Sequence, residues 1–391
     1  MNTSVKNSVN NSVKTSVKTS VKTSVQTGAV VFGWDVGGAH VKVSMVAASG
    51  ELLDIAQWAC PLWQGLGHLE KVLDSVFDRW PDARHAGAHH AVTMTGEMVD
   101  LFADRAEGVR VLVDTLARRL GEDTRFFAGT ARWLAAAECA DGWREVASAN
   151  WRATAQWVAS RVSDALLVDI GSTTTDIVPI VAGHVVARGC DDARRLVSGE
   201  LVYQGVVRTP LCGVSHRIVF RGEQVNVMNE WFATTADVYR LTGELWPAHD
   251  QHPSADNGPK TEAASRARIA RMIGLDARDA GDNEWRELAL TWRGEQMRTL
   301  AENLARVVEA HPSLGRAPLV GAGCGRFLAV ALARRQGRRF IDFANLVDVP
   351  RATQELPEWI ATCAPGVAVA LLFAQVIREP AVAVLQSTAA A

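Results

Sequence analysis

Apolar and polar positions change rhythm along this chain in a regular way. From residue 28, short apolar runs alternate with longer stretches whose apolar residues recur at helical spacing. GAVVFGWDVGG and HVKVSMVAASGELLDIAQWAC read as strands joined by turns, the second turn at Ser49-Gly50. GHLEKVLDSVFDRW, 67–80, has apolar residues at 69, 72, 73, 76, 77 and 80, the stripe of an amphipathic helix. HHAVTMTGEMVDLF runs from strand into helix, with the switch near Gly96. EGVRVLVDTLARRLG predicts a helix, TRFFAG a strand, and TARWLAAAEC and SANWRATAQWVASRV two further helices.

At residue 164 the pattern starts again. SDALLVDIGSTTTDIVPIVAGHVVARG predicts a strand, a tight polar turn, a strand and a second turn at Gly183. DQHPSADNGPKTE, 250–262, is rich in turn formers and reads as an exposed loop. Helices follow at 263–273 and 284–310, and APLVGAGCGRFLAVALARRQG gives strand, glycine-rich turn and helix. The chain is therefore α/β throughout, and its strand-turn-strand opening occurs twice. Residues 28–163 and 164–391 are expected as two similar domains with a cleft between them, the C-terminal helix packing back on the first. The first 27 residues repeat a TSVK-like tetrapeptide with lysine as their only charge. Isolated valines among Ser and Thr bury too little surface to offset chain entropy, so this segment is expected to be a disordered tail, and it lacks the apolar core of a secretory signal.

Bulk properties narrow the function classes. The chain has 391 residues, 48% of them hydrophobic, enough for a large core. A net charge of -2 leaves no basic footprint for nucleic acid or an anionic membrane. Six scattered cysteines without a CxxC pair point to free thiols in a reducing compartment. VAVALLFAQVI, 367–377, is too short to span a bilayer and fits a buried helix, so a cytoplasmic protein is expected. The tryptophans, 13 in all, sit mostly at helical spacing or strand ends and read as core. Oligomeric state is not legible.

The two repeated turns carry the candidate chemistry. DVGGAHVK and DIGSTTTD share an apolar strand, Asp, an apolar residue, Gly, small or hydroxyl residues, then a second strand. Glycines let backbone N–H groups approach an anion, hydroxyls add donors, and an Asp at the strand end can hold a hydrated Mg²⁺ that neutralises phosphate charge. Gly37, Gly38, Gly171, Ser172, Thr173 and Thr174 are thus candidate phosphate binders, with His40 and Lys42 beside them. Asp35 and Asp169 are candidate Mg²⁺ ligands; capping of the loops' own amides is the alternative. Asp176 is a candidate catalytic base or metal ligand. Glu97, following a strand and Gly96, is a second general-base candidate, its alternative being helix N-terminal charge, and Asp100 lies a turn on. In SGELVYQGVVRTP, Glu200 and Arg208 are candidate substrate contacts, Arg208 for an acceptor carboxylate or as an interdomain ion pair. Asp237 reads as a cleft-facing or, more simply, a solvated aspartate, and Lys260 as a surface loop residue.

These motifs resemble those of the actin, Hsp70 and sugar-kinase superfamily, whose two RNase H-like domains each set a β-hairpin loop on the phosphates. GWDVGGAHVK is similar to the first phosphate loop and VDIGSTTTDI to the second. VGAGCGRFL, 320–328, is similar to the glycine-rich turn that meets a nucleoside, which would give Gly321 and Gly323 a substrate contact. VTMTGEMVDLFADRAEGV, RLVSGELVYQGVVRTPLC and EWFATTADVYRLTGEL together resemble a hydantoinase/oxoprolinase-related family linked to tetrahydromethanopterin-dependent one-carbon metabolism. Members of that family in methanogens act in methanofuran biosynthesis. The resemblance implies a transferase that condenses an aminomethylfuran diphosphate with a tyramine, tyrosine or γ-glutamyl phenol, expels pyrophosphate and uses Mg²⁺. An ATP-dependent kinase or amidohydrolase of the same superfamily is the second expectation, and a nucleotide-sensing scaffold without chemistry the third. The first loop's GGAH, in place of the Gly-Thr or Gly-Ser pair of kinases, weakens the ATP assignment.

Overall fold

Two apolar runs, Val30–Val36 and Ala165–Ile170, are buried along nearly their whole length and form the centres of two sheets. Both faces of each are covered, so the runs are continuous rather than alternating. The computed structural model describes residues 29–85, 87–129, 132–350 and 355–389, and the expected disordered tail lies outside them.

In the first sheet β1 (Val30–Val36) pairs antiparallel with β2 (His40–Ala47), and β2 with β3 (Leu52–Ala59). On its other side β1 runs parallel to β4 (Ala88–Met94), β4 parallel to β5 (Arg125–Ala128), and β6 (Arg132–Leu134) closes the edge antiparallel. The second sheet repeats the plan. β7 (Ala165–Ile170) pairs antiparallel with β8 (Thr175–Val181), which carries β9 (His184–Val185) and β10 (Leu201–Val202). A separate hairpin of β11 (Arg217–Phe220) and β12 (Glu223–Asn226) follows. β13 (Leu319–Ala322) and β14 (Phe340–Asp342) then extend the sheet in parallel beyond β7. Strand orders β3-β2-β1-β4-β5-β6 and β10-β8-β7-β13-β14 make the two halves alike, the α/β fold of paired RNase H-like domains expected from the sequence.

Helices form where the stripe and the caps agree. In α1 (Gly67–Arg79) Leu69, Val72, Leu73, Val76 and Phe77 are all buried, and Pro81 follows its end. α2 (Arg105–Leu120) starts at Asp104, whose side chain accepts from Glu107 N at 2.9 Å, and stops at Gly121. Short α3 (Trp143–Val146) and α4 (Asn150–Ala159) complete the first half. The second half adds α5 (Asp192–Ser198), α6 (Thr235–Thr242), α7 (Glu262–Arg271), the long α8 (Asp282–Ala310), α9 (Arg326–Arg335), α10 (Leu356–Thr362) and α11 (Ala364–Ala389). Two expectations change. Residues 132–134 of the alanine-rich stretch form a strand, because Leu134 and Trp133 pair with Phe126 and Phe127, and sheet pairing overrides helix propensity. The segment after Gly96 is a single tight turn, Gly96–Met98, and helix resumes only at Arg105.

The C-terminal α11 leaves the second sheet and packs on the first. Val367, Ala368, Val369, Ala370 and Leu371 share one core with Val31 and Val46 of the first sheet and Leu167 and Val178 of the second. Ser44 Oγ donates to Gly366 O at 2.8 Å. Among the described residues no single helix is long and apolar enough to cross a membrane. The approach of α11 depends on Gly33, where a Cβ would fall 2.2 Å from Gly366 O and 2.6 Å from Ala370 Cβ. Gly33→Val is expected to destabilise the chain by about 2 kcal/mol or more through overpacking, read as a lowered midpoint in denaturant titration.

Candidate active site

The β1–β2 and β7–β8 turns are built alike. Gly37 N donates to His40 O at 2.9 Å, and Gly171 N donates to Thr174 O at 2.8 Å. Flanking residues keep register: Asp35 opposite Lys42, Asp169 opposite Asp176. The loop carbonyls are claimed from behind. Leu62 N donates to Gly38 O at 3.0 Å; Val206 N donates to Gly171 O at 3.0 Å; Val207 N and Arg208 N donate to Ser172 O at 3.1 and 2.8 Å. The carbonyl and the N–H of one peptide point opposite ways, so these bonds turn the amides of Ala39, Ser172 and Thr173 outward. None of those three amides has a hydrogen-bond partner among the described residues. Successive outward amides, such as those of Ser172 and Thr173, have the geometry of a nest that can take an anion. Gly205 lets the bracing segment come close enough, since a Cβ there would lie 2.4 Å from Thr173 N.

Charges gather at the strand ends beneath the loops. Lys42 Nζ lies 3.3 Å from Asp35 Oδ2. Burial opposes the lysine's charge, but Asp35, Cys363 and Asp169 outweigh it and hold the ammonium above its ordinary value. Asp35 Oδ1 is sealed without a partner. Burial, with Asp176 and Asp35 adding and Lys42 opposing, pushes the Asp169 carboxyl up to about 7. Among the described residues no three His, Cys, Asp or Glu side chains converge as a metal cage. Asp35 and Asp169 nonetheless fit Mg²⁺, which is often held by one or two carboxylates plus substrate phosphate oxygens and water. The orphaned Asp35 oxygen is the observation that favours this fit.

Other expected site residues are placed differently. Asp176 accepts a 2.8 Å bond from the fully buried Arg195, whose guanidinium lies 3.9 Å from the ring of Trp151 in α4. Arg195 also donates to Glu200 O at 3.0 Å, so Asp176 is tied into an interdomain brace. Burial still raises the Asp176 carboxyl, against Arg195. Glu200 spends its carboxylate on the amides of Arg188 and Gly189, at 2.7 and 3.1 Å, and positions backbone instead of facing substrate. Gly321 lies in β13 beneath Phe340, where a Cβ would meet Cε2 at 2.5 Å. Gly323 has φ +80 and packs on β7, a Cβ there falling 2.1 Å from Ile170 O. Both are buried spacers under the second loop. Asp237 is neither solvated nor free, being buried and bonded to Arg268 at 2.8 Å. Lys260 pairs with Asp250 at 3.1 Å.

Glu97 is almost fully buried, and burial raises its carboxyl despite a 2.8 Å bond to Ser148 Oγ. The same hydroxyl lies 3.2 Å from Asp192 Oδ2, which in turn takes a 2.7 Å bond from Arg105. One hydroxyl hydrogen cannot serve both carboxylates at once, so the Ser148 hydroxyl is shared between Glu97 and Asp192. Ser148 holds φ 50, an uncommon backbone state for a side-chain-bearing residue. Glu97 therefore belongs to a hydrogen-bonded cluster that links Ser148 and Arg105 of the first domain to Asp192 of the second.

Arg208 stands at the loops. Its Nη1 is 3.5 Å from Thr173 Oγ1, its guanidinium is 4.8 Å from the Trp63 ring, and it has no carboxylate partner among the described residues. Burial lowers its pKa. His40 is buried with Nε2 unpartnered and, through burial and then His252 and Lys42, has its pKa lowered well below the ordinary value. Sequence reasoning missed His252, whose Nε2 lies 2.9 Å from Ala39 O and whose ring is 4.5 Å from His40. It sits in the stretch read as an exposed loop, where one histidine among turn formers gives no signal. Trp63, Arg195, Asp192 and Ser148 were missed for the same reason, since only folding brings them to the cleft. Beyond the glycine turn a cavity of about 680 Å³ is walled by Glu244, Trp246, Asp342, Glu355 and Glu358 with Arg326.

A family model described as Hydantoinase/oxoprolinase matches residues 89–373. The chain is 28% identical over 295 residues, 75% of this chain and 86% of the relative, to the (4-{4-[2-(gamma-L-glutamylamino)ethyl]phenoxymethyl}furan-2-yl)methanamine synthase of Methanocaldococcus jannaschii. A protein of the same name from Methanococcus vannielii is 32% identical over 158 residues, 40% of this chain and 71% of the relative. Among solved structures, nucleotide-free acetone carboxylase is 11% identical and covers 87% of this chain and 70% of its own at a TM-score of 0.50, a likeness of fold.

The raised Asp169 carboxyl makes a stability prediction with a definite sign. Between its unfolded value and about 7 the folded state holds the extra proton, so stability falls as pH rises through that window. Asp169→Asn removes this cost and is expected to stabilise the metal-free protein at pH 8 by a few kcal/mol, at about 1.4 kcal/mol per pH unit, and far less at pH 5. Urea titrations at both pH values in chelator check it; an equal gain at both would show that Asp169 is not held protonated.

Proposed function

This chain belongs to the hydantoinase/oxoprolinase family, and on that premise we propose that it is a transferase of furan-cofactor biosynthesis that condenses an aminomethylfuran diphosphate with a tyramine-type phenol and releases pyrophosphate. The observation that carries the reading is the nest of outward amides at Ser172 and Thr173, matched by one outward amide at Ala39 in the first loop, beside an Arg208 guanidinium that lacks a carboxylate partner among the described residues. A half-buried cation next to such amides is costly unless an anion joins it. The relatives' product is an aryl ether at a furfuryl carbon, which a diphosphate leaving group would supply.

The chemistry follows from those groups. A furfuryl C–O bond ionises when the charge that develops on its leaving oxygen is stabilised. Amides fixed before reaction, aimed at that charge, give electrostatic stabilisation without reorganisation. Arg208, expected to hold an acceptor carboxylate, serves the diphosphate in this reading, because it reaches Thr173 of the second loop. Lys42 keeps Asp35 in place through its ion pair, and Asp35 and Asp169 would hold Mg²⁺. When bound, that ion neutralises phosphate charge and so eases departure of pyrophosphate. The acidic cavity beyond the glycine turn suits the donor's ammonium better than a nucleotide. Two of its carboxylates, Asp342 and Glu358, share Arg326, and Glu244 pairs with Arg293 at 2.8 Å.

Calorimetric titration with Mg²⁺ and pyrophosphate, then with Mg²⁺ and ATP, tests this. Pyrophosphate is expected to bind and ATP to bind far more weakly; tight ATP binding sharpened by Mg²⁺ would move the assignment to a kinase or nucleotide switch. Arg208→Gln removes a charge-assisted contact of about 1.5–3 kcal/mol and is expected to weaken pyrophosphate binding tenfold or more.

A further inference from the structure

One cavity opens beside the loops and shares Arg208 with the proposed diphosphate site but lies outside the acidic cavity assigned to the donor's ammonium. It has a volume of about 130 Å³ and is lined by Trp63 of the first domain and by Trp231, Arg208, His252 and Pro253 of the second, over a floor of charged residues. The floor is already compensated. Asp237 is bonded to Arg268 and Arg240, Arg240 also holds Asp250, Lys260 reaches Asp250, and Arg268 reaches Asp256 at 3.0 Å. With Arg271 also 3.7 Å from Asp256, each of the three carboxylates is already matched by a cation. The rim is aromatic instead: Trp63 is 37% exposed and Trp231 54%. Exposed indoles at a cavity mouth offer flat apolar faces to a ring. The size matches one ring, since an engineered cavity of about 150 Å³ takes benzene.

His252 adds a directed polar atom. A carbonyl oxygen only accepts, so the 2.9 Å contact with Ala39 O requires a hydrogen on Nε2. In the neutral ring Nδ1 is then bare, and it has no hydrogen-bond partner among the described residues and is not sealed from solvent. Ala39 also carries the outward amide of the first loop, so this ring stands at a loop that would hold the leaving group.

We infer that the cavity between Trp63 and Trp231 is the subsite for the acceptor's phenol ring and that Nδ1 of His252 takes the phenol proton, an assignment that rests on the transfer reaction proposed above. As the furfuryl C–O bond breaks, its electron pair leaves with pyrophosphate. A lone pair of the phenol oxygen forms the aryl ether bond, the O–H bond gives its proton to Nδ1, and released pyrophosphate or water then takes it. The groups facing His252 are Arg208, Lys260 and His40, with Asp250 two residues before it. Burial, then Arg208, hold its pKa at about 4 although the bond to Ala39 opposes them, so the imidazole is uncharged at neutral pH.

The test uses the full chain with [4-(diphosphooxymethyl)furan-2-yl]methanamine as donor, and tyramine, γ-glutamyltyramine and a nitrophenol ionised at the assay pH as acceptors. Trp231→Ala is expected to raise the acceptor KM about tenfold while the donor KM changes less than twofold. His252→Gln, which keeps an N–H for Ala39 O, is expected to lower kcat about a hundredfold with tyramine. With the ionised phenol, which has no proton to give, that loss is expected to shrink to a few-fold, and pyrophosphate affinity to stay at the wild-type value. An equal loss with both phenols overturns the role of His252, and an unchanged acceptor KM in Trp231→Ala overturns the subsite. Quenching of tryptophan fluorescence by tyramine alone reads the subsite without turnover. Quenching that Trp231→Ala abolishes, in a wild type that releases no pyrophosphate, sinks the transfer reaction and keeps the ring subsite. Turnover in the wild type with neither variant altered sinks the subsite and keeps the reaction.

Discussion

The direction of a few peptide groups governs this structure. In both hairpin loops the carbonyls are held by backbone amides from a neighbouring segment: Leu62 in the first, Val206 to Arg208 in the second. Every such bond fixes an N–H on the opposite side of its peptide. A buried donor without a partner costs on the order of 1–3 kcal/mol, which is what a ligand accepting from these amides would offset. The bracing segments need small residues to come close. Gly205 rests against the second loop, and Gly323, with Gly325 donating to Ile170 O at 2.8 Å, supports it from below.

Charge is distributed in the same spirit. Most buried ions have been matched across elements far apart in sequence, and such matching is strongly position-dependent because breaking one partner leaves a charge in low dielectric. Arg195 joins Asp176 and Trp151, Arg268 joins Asp237 and Asp256, and Arg326 joins Asp342 and Glu358. Among the described residues, the groups near the loops that lack an ionic or hydrogen-bond match include an Asp35 oxygen, His40 Nε2, the Arg208 guanidinium and the bare imidazole nitrogen of His252. They lie at the two loops and the adjoining cavity, and the proposed function rests on them.

Much of the fold was legible in the chain. The duplicated strand-turn-strand pattern around Asp35 and Asp169 predicted two like domains, and the strand orders repeat as expected. The α1 stripe and the buried C-terminal helix followed from spacing alone. Residues 132–134 were misread because an alanine-rich segment has helix propensity, whereas the edge of the first sheet was vacant and β5 captured it.

For the site, sequence by itself determined which residues form the two loops, because glycine and hydroxyl side chains after a strand-end carboxylate are local features of a tight strand-turn-strand connection. It did not determine what those carboxylates face. Asp176 and Glu200 look like Asp35 and Asp169 in sequence, yet Arg195 and the amides of Arg188 and Gly189 occupy them. His252 and Trp63 are separated by much of the chain and meet only when the second domain's loop crosses onto Ala39. Local chemistry is written in neighbouring residues. Which carboxylate is neutralised, which cation is left unpaired and which imidazole nitrogen is bare depend on Coulomb and hydrogen-bond partners that only tertiary packing supplies.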